Sequence, residues 1–353
     1  MWRTGFRAHC LLLGVFALTA PLAFAQHKPW PVKIVIVTTF EVGEDTGDAP
    51  GEFQFWVERE HLDRKLPFPG GVRDLRTNSG HSILGIVTGT TIGPSALSIM
   101  ALGLDPRFDL TKAYWLVNGI AGVDPDDASI GSAAWANFVV SDISREIDPR
   151  EAPADWPYGI FPIGATRPNQ PPDSAHSAIN RTIAYPLNPK LAAWAYRFTK
   201  DVKLLDTPEM AAVRAEWQGY PNAQRLPFVL LGDSFASDYY WHGKILTQYA
   251  NDWVKLFTGR QGNFVMTNME DSGIAEALTR LDAMHRADFR RLMVLRTGSN
   301  YSMQRPGHTA VESVTAPYVG GLAAFEAAYR VGSPVVHELL KNWSKWEKVT
   351  PGE

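Results

Sequence analysis

Cysteine is almost absent. Of 353 residues only Cys10 carries a thiol, and it lies within the first 25 residues. The remainder can form no disulfide, no thiol nucleophile and no cysteine-bound metal centre. That usage suits an oxidising compartment. Long apolar runs are also missing beyond the N-terminus, where nothing approaches the roughly 18 residues of a membrane span. The portion after residue 25 therefore cannot be a channel or carrier by itself. An excess of one charge is lacking too: 34 Lys and Arg face 37 Asp and Glu, a formal charge of −3. Such a surface offers nucleic acid or an anionic membrane little electrostatic attraction. There are no internal repeats. Neither a P-loop nor the dinucleotide fingerprint G-x-G-x-x-G is present, and no cofactor or resident metal is expected.

The N-terminus carries an export pattern. Arg3 and Arg7 precede an apolar run from Leu11 to Leu22, and Ala23-Phe24-Ala25 is an A-x-A cleavage site. Residues 1–25 read as a signal peptide, which predicts a secreted, periplasmic protein starting at Gln26. Loss of Arg3 and Arg7 would take the formal charge to −5. The rest, 26–353, is expected to form a single domain of ordinary globular composition, 45% hydrophobic and 20% charged.

Strands and helices alternate along it. Strands are predicted at 33–38, 82–88, 113–118, 135–141, 228–232 and 292–296, each an apolar run rich in β-branched or aromatic residues. The third is expected to end in a turn, Gly119-Ile120-Ala121-Gly122. Helices fit 95–102, 189–200, 207–216, 242–258, 271–285 and 320–343. This order predicts an α/β fold, three-layer α/β/α around a central twisted mixed sheet. Ligands in such sheets sit at the carboxyl ends of strands. Residues 146–189, rich in Pro, Asp and Asn, interrupt the alternation and read as a long ordered insertion.

The candidate chemistry lies at strand ends. Asn268-Met269-Glu270 follows the apolar step Phe264-Val265-Met266 and precedes a helical pattern. A thioether can pack under a ribose ring, and two carboxylate oxygens can accept from both vicinal hydroxyls. An acid in a helix first turn is also favoured by the macrodipole, with no ligand involved. Ser234 in Gly232-Asp233-Ser234-Phe235 lacks the second glycine of a nucleophile elbow, since Ala236 stands there. Asp124, Asp126 and Asp127 have a Pro-interrupted spacing that fits no EF-hand loop and read as a solvated turn. His81 and Asn78 could reach a sugar 5′-hydroxyl or simply lie on the surface. Tyr240-Trp241-His242-Gly243 could rim a pocket or pack a helix start.

Four of these segments, in this order, resemble the purine nucleoside phosphorylase and nucleosidase superfamily. Asn118 to Gly122 followed by Ile130-Gly131 resembles the central glycine turn of methylthioadenosine/S-adenosylhomocysteine nucleosidases. Gly232 to Asp238 resembles a base-stacking loop, Met269-Glu270 a ribose-binding pair, and Thr297-Gly298-Ser299-Asn300 a purine-contacting segment. Nearly the whole chain after residue 25 resembles the purine nucleoside permease family, through Thr39-Phe40-Glu41, Leu66 to Gly71, Asn118 to Asp142 and Gly232 to Gly243.

The resemblance implies a purine nucleoside as ligand. It implies that Glu270 anchors the sugar, that Met269, Asn268, Gly119, Ala121, Gly122 and Ser299 border it, and that Phe235 stacks on the base. Asn300 stands where many relatives have Asp. It can donate a hydrogen bond to N7 but has no proton to give, a pattern that implies 6-oxopurines. Phosphorylases of this superfamily place an arginine before the glycine turn and another in the first-strand loop. Here Asn118 takes the first place, and the loop carries Glu41, Glu44 and Asp45. Acids repel phosphate and can orient water, so Glu41 and Glu44 become candidate catalytic residues and hydrolysis is favoured over phosphorolysis. Arg73, Arg76 or the Gly89–Gly93 turn could still bind phosphate. A nucleoside-binding component of an uptake system, working with a membrane transporter partner and without catalysis, is the alternative.

Overall fold

A computed structural model describes Met1 and residues 28–353. The export pattern lies outside the described residues.

The elements that carry the site can be numbered along the chain. They are β1 (Ile34–Thr38), α1 (Gln54–Arg59), β2 (Ile83–Val87), α2 (Ile92–Leu104), β3 (Tyr114–Val123), β4 (Phe138–Ser141), β5 (Asp233–Ala236), α3 (Lys244–Phe257), β6 (Phe264–Asn268), α4 (Asp271–Ala283), β7 (Leu292–Tyr301) and α5 (Gly321–Lys341). The order across the large sheet is 184–186, β4, β5, β6, β3, β1, β2, 75–77, 64–66. β7 runs parallel to β3 from Leu292↔Trp115 to Tyr301↔Val123. β1 pairs in parallel with the first half of β3, and β6 pairs antiparallel with its last residues. Most other central neighbours are parallel, so the sheet is mixed.

Side-chain alternation builds the layers. Along β1, Val35 and Val37 join a core with Ile99 and Leu102 of α2 and Ile274, Leu278 and Leu281 of α4. Ile34 and Ile36 face the other way, onto Trp56 of α1 and Val331, Val335 and Leu339 of α5. All five residues of β1 are buried, as a strand covered on both faces requires. The architecture is the three-layer α/β/α arrangement read from the sequence.

Two differences matter for the site. The segment Gly119–Gly122 is not a turn, because β3 continues to Val123, and β7 likewise continues through Thr297 to Tyr301. Glycine weakens a strand on average, but here the two strands register residue by residue, with one irregularity between Gly298 and Asn300. Ladder hydrogen bonds and burial therefore override local preference. Secondly, residues 146–189 are tied to the domain. Ile160–Phe161 pairs with Arg145–Glu146, and Ala184–Pro186 joins the main sheet beside β4.

Candidate active site

The β6–α4 turn is held by one side chain. Asn268 Oδ1 accepts from the amides of Glu270 (3.1 Å) and Asp271 (3.0 Å), so the chain leaves the strand and enters α4 in a fixed conformation. Its Nδ2 donates to Ser234 Oγ at 2.6 Å, and Ser234 donates to Asp271 Oδ2 at 2.6 Å. Ser234 is thus an internal relay of hydrogen bonds. Glycine at 273 is needed for close approach, since a Cβ there would sit 2.7 Å from Ser95 Oγ on α2. That serine also donates to the Glu270 carbonyl at 3.1 Å. Glu270 is consequently a buried carboxyl at a strand end.

Arg296 of β7, 1% exposed, is the centre of the cluster. Its Nη2 donates to Asp271 Oδ1 at 2.6 Å and to Glu270 Oε2 at 3.1 Å, and its Nη1 donates to the Ile120 carbonyl at 3.1 Å. A third acid closes the ring: Glu52 Oε1 lies 3.7 Å from Nη1. Glu52 accepts from the Ile120 amide (2.7 Å), the Thr39 amide (2.7 Å) and Thr39 Oγ1 (2.9 Å). Gly119 makes room for this contact, because a Cβ on it would lie 2.6 Å from Glu52 Cδ and 2.7 Å from Arg296 Nη1.

Three carboxyls share one guanidinium. With all three ionised the cluster would be doubly negative in a dry interior, which is costly. Burial pushes Glu270 up to about 7, against the attraction of Arg296 and aided by Glu52 and Asp271. Burial also raises Glu52, opposed by Arg296 and its amide donors. For Arg296, burial favours the neutral form, but Asp271, Glu270 and Glu52 outweigh it and keep the guanidinium charged. The cluster can therefore hold or accept a proton near neutral pH while presenting negative charge.

A cavity of about 240 Å³ opens beside the end of β7, lined by Asn300, Ser299, Tyr240, His242, Trp217 and Tyr318 among others. Asn300 Nδ2 donates to Tyr240 Oη (3.1 Å) and to the Tyr301 carbonyl (3.0 Å). Ser299 Oγ shares its hydrogen between Asn300 Oδ1 (2.8 Å) and the Ala121 carbonyl (3.2 Å). Gly122 makes room for β6 instead: a Cβ there would lie 2.9 Å from Thr267 Cγ2.

The sequence-read candidates divide. Asn268, Glu270, Gly119, Ala121, Gly122, Ser299 and Asn300 surround the ends of β3, β6 and β7, with half-buried Met269 beside them. Glu41 does not face this region as a water-orienting acid. Its Oε2 accepts from the amides of Phe53 (2.7 Å) and Gln54 (2.6 Å), and its Oε1 from those of Val42 (2.8 Å) and Gly51. Glu44 is exposed. Phe235 is fully buried, with Trp241, Tyr249 and Phe264 edge-on around it, which leaves no open face for stacking. Asn118 bridges Trp56 Nε1 and the Ala328 carbonyl, a structural staple. His81 stacks on Trp30, before β2 at its amino end and away from the cluster. Asp124 is buried rather than solvated. Burial pushes it up to about 7, although it accepts from Asn251 Nδ2 at 2.6 Å. Among the described residues no cluster of His, Cys, Asp and Glu has a metal-holding arrangement.

Sequence reasoning missed Glu52, Arg296 and Asp271, whereas Tyr240 and His242, read as a possible pocket rim, do line the cavity. Glu52 is hidden by its setting in a polar Gly/Asp/Pro loop, and Arg296 reads as the end of an apolar strand. A signal for Arg296 existed: a lone arginine inside a run of buried residues demands a partner.

Comparison with known proteins gives the family and the fold. A family model described as purine nucleoside permease matches residues 31–351. A purine nucleoside permease of Candida albicans is 30% identical over 331 residues, covering 91% of this chain and 77% of that protein. A probable purine nucleoside permease of Schizosaccharomyces pombe is 30% identical over 279 residues, covering 76% and 79%. Among solved structures, a 5′-methylthioadenosine/S-adenosylhomocysteine nucleosidase of Helicobacter pylori with 5′-methylthioadenosine in its active site superposes with a TM-score of 0.52. The two are 16% identical, and the match covers 87% of this chain and 99% of that one. A futalosine hydrolase of the same organism gives 0.53 at 15% identity, covering 87% and 100%. These structures share the fold. The chain belongs to the purine nucleoside permease family.

Proposed function

We propose that this purine nucleoside permease family member binds a purine nucleoside and hydrolyses its N-glycosidic bond. The sugar would lie over Met269 and Glu270 and the base in the cavity beside Asn300. One observation carries the reading: Glu52 and Glu270 are buried on either side of Arg296, at the carboxyl ends of β1 and β6. Cleavage of the C1′–N9 bond leaves positive charge on the sugar and negative charge on the base. A cluster of net negative charge stabilises the first more strongly in the transition state than in the substrate, which is what accelerates the step. Water then adds to C1′. Glu52, oriented by Thr39 and the Ile120 amide, would take the water proton, and the base leaves with a proton drawn from solvent. Nucleoside and water become ribose and free purine.

Phosphorolysis is disfavoured by what occupies the anion-binding candidates. Arg73 and Arg76 both bond Asp45, at 3.1 and 2.7 Å. The α2 N-terminus after Gly89 is met by Asp238, whose Oδ1 accepts from the Ile92 amide at 2.8 Å. Phosphate would have to displace a carboxylate at each place. Uptake is the second reading, and the family description favours it. Among the described residues no helix is long and apolar enough to cross a membrane, so uptake would use the chain as a nucleoside-binding component beside a membrane partner. We place the protein outside the cytoplasm on the strength of its first 25 residues.

The test is direct. Inosine, guanosine and adenosine are incubated with purified protein, with and without phosphate, and the products are separated. Free base and ribose without phosphate are expected. Cleavage that requires phosphate and yields ribose 1-phosphate would overturn hydrolysis. Saturable nucleoside binding without cleavage would favour the uptake component.

A further inference from the structure

His242 is a pocket residue that the hydrolytic step does not use. It precedes α3, and its neighbour Gly243 donates its amide to the Ser302 carbonyl at 2.9 Å, tying this corner to the end of β7. Gly243 has φ +132°, a conformation side chains rarely adopt, so the corner is built around glycine. Trp241 turns into the aromatic core with Phe235, while Tyr240 and His242 turn into the cavity beside Asn300.

Both imidazole nitrogens of His242 are shielded from solvent and have no hydrogen-bond partner. Burial lowers its pKa, with no charged neighbour contributing, so the ring is neutral. A neutral imidazole has one donor and one acceptor, and its tautomer can match a ligand. Shielded polar atoms without partners are costly unless something bonds them. Asn300 is complementary. Both Nδ2 hydrogens go to Tyr240 and Tyr301, so what it offers a ligand is a lone pair of Oδ1. Asn300 thus presents an acceptor, and the enclosed nitrogens of His242 beside it can supply a donor and an acceptor once the ring turns to a base edge.

We propose that His242 is a specificity-determining residue that reads the 6-position edge of the purine. This rests on the base lying in the Asn300 cavity, as the proposed function has it. A ligand able to bond the ring gains one neutral hydrogen bond, worth about tenfold in selectivity.

The test pairs a substitution with a substrate change. Wild type, His242→Phe and His242→Gln are assayed with inosine, adenosine and purine riboside, which lacks the 6-substituent. Binding of each nucleoside is measured by calorimetry, so that the result does not depend on turnover. His242→Phe should reduce the preference for the better 6-substituted nucleoside over purine riboside about tenfold. His242→Gln, which keeps a donor and an acceptor, should restore part of it. Equal weakening for all three ligands would mean a structural role and overturn the proposal. If wild type binds none of the three, the nucleoside reading itself fails. If wild type binds and discriminates but the His242→Phe ratios do not move, only the role of His242 falls.

Discussion

Two glutamates of one loop, eleven positions apart, have opposite fates. Glu41 is saturated by backbone amides from Val42, Gly51, Phe53 and Gln54. It folds the loop onto the start of α1 and has no oxygen free for a ligand. Glu52 accepts from Thr39 and Ile120, but it also faces a guanidinium and a second carboxyl across a strand end. The residue type is the same, and the partners decide the role. A carboxylate bonded by amides on all sides is a structural anion. One that shares a cation with other acids keeps proton chemistry in reserve.

The largest effect expected from breaking this contrast comes from the other side of Arg296. Glu270→Gln removes the negative charge nearest the sugar while keeping the shape. Cleavage should fall about 10³-fold in kcat/KM, the scale of losing a preorganised electrostatic contact. Product chromatography with inosine measures it. Wild-type turnover in that variant would remove Glu270 from the reaction.

The loop pair sharpens the contrast directly. Glu52→Gln should lower kcat of the folded fraction about 10²-fold, as loss of a general base does, and should also cost stability, since the Thr39 and Ile120 amides lose a charged acceptor. Glu41→Gln should cost about 1–3 kcal/mol of stability in urea, because amides lose a charged acceptor. Its folded fraction should turn over normally. If the two variants exchange behaviours, Glu41 is the catalytic acid and the loop has been assigned backwards.

This pair also shows what a sequence can carry. Strand and helix positions were legible, because apolar periodicity reports burial and burial is what the sheet demands. Asn268, Glu270 and Asn300 stand out in the sequence because each sits at a strand end beside a distinctive neighbour. Glu52 does not, since Gly51-Glu52 in a polar loop looks solvated until β3 and β7 are seen side by side. Phe235 was misjudged for a related reason: a strand residue can face either layer, and only packing tells which. Gly119–Gly122 looks like a turn from glycine's local freedom, but the long-range pairing to β7 holds it as strand.

Acidity offers a gentler perturbation. Burial raises Glu270 from 4.5 to about 7 in the folded protein. Between those values the folded state holds a proton that the unfolded chain releases. Glu270 therefore contributes stability that is full below 4.5 and is lost as pH rises through about 7. Urea midpoints measured across that window should decline with pH more steeply for wild type than for Glu270→Gln, which cannot titrate. Parallel curves would show that the proton of the cluster resides elsewhere, with Glu52 the next group to examine.

The smallest effect concerns the cavity. Asn300 Nδ2 faces the Tyr301 carbonyl at 3.0 Å and Tyr240 Oη at 3.1 Å, both suited to accept its hydrogens. In Asn300→Asp an oxygen replaces that nitrogen. An ionised carboxylate would then oppose a carbonyl at hydrogen-bond distance, so the fold favours the protonated acid there. Its single hydrogen goes to the Tyr301 carbonyl, so the other oxygen meets the base as an acceptor, in the place of the amide Oδ1. Inosine and adenosine differ at the neighbouring 6-position, and a carboxyl oxygen, with its share of negative charge, accepts more strongly from the amino group of adenosine than an amide oxygen does. Asn300→Asp should accordingly shift the inosine-to-adenosine ratio of kcat/KM several-fold towards adenosine, the scale of one neutral hydrogen bond. Competition between the two nucleosides in one vessel measures that ratio without regard to active fraction. If it stays constant while total activity falls, Asn300 positions the cavity wall through Tyr240 and does not touch the base.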